Sequence, residues 1–172
     1  MITLITGARG SGKTSLCQQR ADAARAAGLD VAGILSPALF EGGAKVGIAA
    51  LDLRTGERRL LARRRQPGDS DTPGGPQTEG WRFDPTALAW ADAVLSTATP
   101  CDLLVVDELG PLELERNEGW TAALTALDGG HYRAALVVVR YELLPVAQSR
   151  WAGAQVLDLG TGGEGSLSHE SA

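Results

Sequence analysis

The chain has 172 residues, 44% of them hydrophobic and 22% charged, and its formal net charge is −5. That size suits one globular domain burying roughly 70% of its unfolded surface. The negative balance excludes an overall cationic field that would draw the chain to nucleic acid or to an anionic membrane, so nucleic acid is a disfavoured partner.

Cys17 and Cys101 form no C-x-x-C pair, and His131 and His169 are the only imidazoles. A protein-built zinc site is therefore not expected, and each cysteine reads as a small core residue. No apolar run approaches the roughly 20 residues of a membrane span, and no signal-peptide pattern precedes the first apolar segment. These features read as a cytoplasmic protein with no membrane attachment.

Residues 2–6 form a short apolar strand, followed at once by Gly7-Ala8-Arg9-Gly10-Ser11-Gly12-Lys13-Thr14, the spacing G-x-x-x-x-G-K-T. This is a phosphate-binding loop: glycines let the backbone wrap an anion with its N–H groups, a lysine reaches the β- and γ-phosphates, and a hydroxyl can ligate Mg²⁺. The loop also opens a helix, whose positive end suits phosphate. Gly7 through Thr14, with Ser15 on the first helical turn, are the candidate nucleotide-binding residues. Lys13 is also a candidate catalytic cation and Thr14 a candidate metal ligand.

From Lys13 to Ala27 the chain is Ala-rich and free of Gly and Pro until Gly28 stops the predicted helix, and Val31 to Leu35 is a second strand. Residues 44–53 and 57–62 flank Arg54-Thr55-Gly56 and predict a β-hairpin insertion. Residues from about 63 to 80, opening on Arg63-Arg64-Arg65 and rich in Pro and Gly, predict a long mobile loop. Asp84-Pro85 is a helix start, and Leu88, Ala91, Leu95 and Ala98 keep one apolar face before Pro100. Leu103 to Val106 is a continuous apolar run suited to a central parallel strand. A helix near 117–128, a strand from Ala134 to Val139, a short segment from Glu142 and a strand near 155–159 complete the alternation. Residues 160–172, rich in Gly and Ser, read as a flexible tail beyond a single domain spanning 1–159.

Alternating strands and helices predict an α/β fold, an open and mostly parallel sheet with helices on both faces, in which ligands sit at the carboxyl ends of the strands. Asp107 and Glu108 close the apolar run at such an end. Asp107 is placed to hold Mg²⁺ opposite Thr14, and Glu108, one residue on and so turned to another side, to orient and partly deprotonate an attacking water.

The sequence resembles the small P-loop nucleoside-triphosphatases of the cancer-related NTPase type. The likeness rests on Gly7 to Thr14, on the strand Ala32-Gly33-Ile34-Leu35 with its hairpin, and on Val105-Val-Asp-Glu-Leu-Gly-Pro-Leu-Glu-Leu114, and it runs to about Leu159. Gly110 and Glu113 match the narrower Asp-Glu-Leu-Gly-x-x-Glu continuation. The resemblance implies a P-loop NTPase fold and Mg²⁺-dependent hydrolysis of nucleoside triphosphates to diphosphate and phosphate, with loose base preference.

An additional cation at the γ-phosphate accelerates this chemistry. Arg140, after a strand whose carboxyl end faces the site, is the leading candidate for that catalytic role; Arg9 and Arg63 to Arg65 are the others. Trp81 and Phe83 are the aromatics nearest to base-stacking candidates. Two alternatives remain at this point: a small-molecule or nucleotide kinase with the 63–80 loop as its lid, and a nucleotide-binding adaptor linked to cofactor delivery. An oligomer or a protein partner is left open.

Overall fold

A computed structural model describes residues 1–65, 77–78 and 80–160. β1 (Ile2–Thr6) leads through the glycine loop into α1 (Lys13–Ala26), and β2 (Val31–Leu35) follows. An antiparallel wing comes next: β3 (Ala38–Glu41), β4 (Ala44–Asp52), β5 (Arg58–Arg64), β6 (Gln77–Thr78) and β7 (Trp81–Phe83). The chain then returns through α2 (Pro85–Ser96), β8 (Cys101–Leu109), α3 (Pro111–Leu114), α4 (Thr121–Gly129) and β9 (Tyr132–Val139). A 3-10 turn at Tyr141–Leu143 enters α5 (Leu144–Arg150), and β10 (Gln155–Asp158) is the last strand.

These strands make one sheet in the order β10-β1-β9-β8-β2-β4-β5-β7-β6, with β3 paired to β4. Pairings from β10 to β2 are parallel; every pairing from β2 to β6 is antiparallel. The open α/β sheet thus follows the expectation, but the insertion is larger than the predicted hairpin. Two short strands, β3 and β7, flank the β4–β5 pair. They are four and three residues long, too short to announce themselves by alternation.

Apolar residues on both faces of the parallel strands explain their placement, since helices cover each side. Ile5, Val105 and Val138 pack with Cys17 and Ala21 beneath α1. On the other face Leu4, Val106 and Val137 pack with Ala91 and Leu95 of α2, Leu124 and Leu127 of α4, and Ala147 of α5. Cys17 is fully buried, and burial, aided by the charge of Asp107, pushes its thiol up to about 12, so it is an inert core residue.

Boundaries shift in small ways. α2 starts where expected, with the Asp84 carboxylate accepting from the Thr86 and Ala87 amides, but ends at Ser96. β5 runs through Arg64, so Arg63 and Arg64 belong to a strand, and the Arg65 amide donates to the Gly80 carbonyl at 3.1 Å. Residues 66–76 of the predicted loop and 161–172 of the predicted tail lie outside the described residues. Gly160 is held: its amide donates to Asp158 and its carbonyl accepts from the Ala8 amide. Among the described residues no helix is long and apolar enough to cross a membrane.

The tightest approach in the sheet is at Gly33 of β2. Its φ is +112°, and a Cβ there would lie 1.9 Å from the Val105 carbonyl oxygen on β8. Gly33→Ala is therefore expected to cost about 3 kcal/mol or more, read as a lower denaturant midpoint with unchanged slope. A midpoint equal to the wild type would contradict this reading of the β2–β8 contact.

Candidate active site

The glycine loop joins the carboxyl end of β1 to α1. Gly7, Gly10 and Gly12 have φ of +142°, +81° and +88°, conformations that side-chain-bearing residues rarely adopt. α2 has a side-chain cap, but α1 has none and carries no acid in its first turn. Its first amides are thus committed to no side chain, the arrangement that serves an anion. Lys13 Nζ donates to the Gly7 and Ala8 carbonyls, both at 2.8 Å, which holds the ammonium at the mouth of the loop. The Ala8–Gly160 hydrogen bond braces the loop from β10.

Asp107 is buried, with 2% of its surface exposed. Its Oδ2 accepts from the Ser36 amide at 2.9 Å, its backbone carbonyl accepts from the Ser36 hydroxyl at 3.2 Å, and the Thr14 hydroxyl lies beside its carboxylate. Burial raises its pKa to about 6 against the Ser36 amide and the Thr14 hydroxyl, which lower it; the charge of Glu108 raises it further and that of Lys13 lowers it. The structure thus brings Thr14 and Asp107, expected to face each other across the metal, to the same place, and Ser36, which holds the carboxylate from the end of β2, was not foreseen.

Glu108 and Leu109 occupy a β-bulge. Val106 pairs with Val137 and Leu109 with Val139, so β8 spends one residue more than β9 over this step. Glu108 takes the strain, with φ +75°. The extra residue puts three consecutive side chains to three uses: Asp107 is buried toward α1, Glu108 is lifted out at the edge, and Leu109 returns to the core beneath α4. Arg140, just after β9, donates to Glu108 Oε1 from Nε at 3.0 Å and from Nη2 at 2.7 Å. Both side chains are about half exposed, so the pair orients more than it stabilises.

Glu113 completes the turn. It is buried, and its two oxygens accept from the Gly110 amide at 2.8 Å and the Trp120 amide at 3.1 Å. It clamps the backbone directly after the bulge, a role no spacing rule discloses.

Residues 2–152 match the NTPase family. The chain belongs to that family. It is 32% identical over 144 residues to the nucleoside-triphosphatase THEP1 of Methanopyrus kandleri, covering 83% of this chain and 76% of that protein. The THEP1 of Ignicoccus hospitalis is 34% identical over 125 residues, 73% of this chain and 68% of that one. The solution structure of a human cancer-related nucleoside triphosphatase superposes with TM-score 0.69 at 22% identity, over 91% of this chain and 87% of that one. The crystal structure of THEP1 from Aquifex aeolicus gives 0.65 at 13% identity, over 93% and 90%. These two likenesses carry the fold.

The remaining candidates of this NTPase-family chain divide. Arg9 lies exposed on the loop rim, and Arg63 and Arg64 lie in the wing. Trp81 and Phe83 pack against the core from β7. Trp120 and Trp151 are buried, and the Tyr132 hydroxyl donates to the Leu127 carbonyl, so these aromatics are packing residues. Among the described residues no group of three or more His, Cys, Asp or Glu is gathered as a metal cage.

Replacing Glu113 by Ala leaves the Gly110 and Trp120 amides without their acceptor and is expected to cost about 1–3 kcal/mol. Thermal unfolding measures it; a melting temperature equal to the wild type would remove Glu113 from the support of the bulge.

Proposed function

We propose that the chain hydrolyses nucleoside 5′-triphosphates to the diphosphate and phosphate, with Mg²⁺ as cofactor. One observation carries this reading: Thr14 of the phosphate loop lies beside the buried Asp107 carboxylate, while Glu108, the next residue, is turned out at the same strand end. The relatives named nucleoside-triphosphatase support it.

A hydroxyl and a carboxylate side by side fit Mg²⁺, which takes one or two protein oxygens and completes its shell with phosphate oxygens and water. Thr14 and Asp107 would hold it. When bound, the ion neutralises charge on the β- and γ-phosphate oxygens.

The chain's own groups do the rest. Loop amides and Lys13 take the phosphates. Glu108 Oε1 is occupied by Arg140, and Oε2, outside that pair, orients the water and accepts its proton. The water oxygen forms a bond to the γ-phosphorus as the bond to the β–γ bridging oxygen breaks; the electron pair leaves with the diphosphate, and the proton passes from Glu108 to the released phosphate. Arg140 serves as a positioning residue for Glu108. No side chain is assigned to the base, which suits broad nucleotide use. A cytoplasmic setting supplies such substrates.

Phosphate release with Mg²⁺ from ATP, GTP, CTP and UTP tests this. Glu108→Gln is expected to lower kcat by about 10²–10⁴-fold while nucleotide binding persists. Tight binding by the wild type with no release would overturn the hydrolase reading.

A further inference from the structure

The chain contains only two lysines, Lys13 and Lys45. The first lies in the phosphate loop; the second lies on β4, in the antiparallel wing. β4 registers with β2 through Ile34 opposite Asp52 and Leu35 opposite Leu51. Because the pairing is antiparallel, residues of β4 before Leu51 run on past the carboxyl end of β2. That is the end where Ser36 holds Asp107. The wing thus overhangs the same edge of the sheet as the phosphate loop, and Lys45 rides near its tip, opposite Phe40 of β3.

The side chain is half-buried, and its Nζ sits 4.9 Å from the centre of the Trp81 ring, which limits where the ammonium can go. Three charged groups of the site act on it. Arg9 of the loop repels it, while Glu108 and Asp107 attract it. Burial first, and Arg9 next, lower its pKa, and the two acids work against them. A cation on a wing that overhangs the carboxyl edge, within electrostatic reach of the loop arginine and of both acids, is near enough to the phosphate loop to serve the terminal phosphate of a bound nucleotide. Arg140 is engaged with Glu108 in this arrangement.

We propose that Lys45, steadied by Trp81 and delivered by the wing, contacts the γ-phosphate oxygens of the bound nucleoside triphosphate and stabilises their charge during transfer. This rests on the proposed hydrolysis and names the cation that chemistry calls for. Lys13 from the loop and Lys45 from the wing then divide the γ-phosphate oxygens between them. A nucleoside diphosphate, which lacks those oxygens, leaves Lys45 without a partner.

The test compares the wild type, Lys45→Met and Lys45→Arg in Mg²⁺ buffer. It measures affinity for ADP, affinity for the non-hydrolysable triphosphate AMP-PNP, kcat and KM for ATP, and melting temperature. Lys45→Met is expected to bind ADP as the wild type does, to bind AMP-PNP about tenfold or more weakly, and to lose about 10²–10³-fold in kcat; Lys45→Arg restores much of both. Unchanged AMP-PNP affinity and kcat in Lys45→Met would overturn the assignment. So would an equal loss of ADP and AMP-PNP binding, which marks a structural cation. Absence of phosphate release from the wild type would overturn the hydrolase reading instead, and the AMP-PNP to ADP ratio would still report on Lys45.

Discussion

The site depends on keeping one carboxylate, Asp107, inside the protein. With its pKa raised to about 6, holding Asp107 ionised at neutral pH costs roughly 3 kcal/mol of folding free energy. The sign follows from the direction of the shift: the cost is absent below the unfolded pKa and is fully present once pH exceeds the folded one. The fold limits the cost by bringing polar groups from two distant segments to the carboxylate, the Ser36 amide after β2, which donates to it, and the Thr14 hydroxyl at the start of α1, which lies beside it. Those contacts also fix what lies around Asp107. β2 must end beside β8, and α1 must begin above both, so the strand order and the phosphate loop converge on one buried oxygen pair.

A strand that ends on a buried acid has no regular way to present the next acid and then re-enter the core. In a plain alternation Glu108 would point into the α4 side and Leu109 toward α1. The bulge resolves the conflict at a local cost of about 1–3 kcal/mol for a non-glycine residue at positive φ. Glu113 offsets part of that by accepting from the Gly110 and Trp120 amides, and Arg140 sets the direction of the exposed carboxylate. Strain, clamp and orienting cation form one unit, and the narrow Asp-Glu-Leu-Gly-x-x-Glu pattern is its outline in sequence.

That outline explains which parts were legible in advance. The loop could be read because glycines at fixed offsets and a following Lys-Thr have a chemical reason independent of tertiary contacts. The start of α2 could be read because Asp84 caps the two amides nearest to it. Glu108 could be named but not its backbone, since nothing local marks a glutamate for a left-handed conformation. Ser36 and Lys45 act across 71 residues and across an antiparallel register, distances at which side-chain type carries no signal about partners. The wing strands β3 and β7 are defined by what they pair with, not by their own sequence.

The parallel half of the sheet holds the phosphate loop and both acids, whereas the antiparallel half carries Lys45 past the same carboxyl edge, so the relation between the halves sets where that lysine lies. That relation runs through a narrow join. β2 and β4 share two registered pairs, supplemented by the Leu53 amide donating to the Gly33 carbonyl. The join is reinforced at the end of β4 remote from Lys45, where Arg54 pairs with Asp30 at 2.8 Å and donates to the carbonyls of Thr97, Ala98 and Pro100. One guanidinium there ties the wing to the turn before β2 and to the segment before β8. A lever fixed at its base by directional hydrogen bonds keeps its tip in a defined direction, and the close contact of Gly33 with Val105 leaves the base no room to slide. The direction in which the wing carries Lys45 is therefore set at the end of β4 remote from it, by Arg54 and its partners.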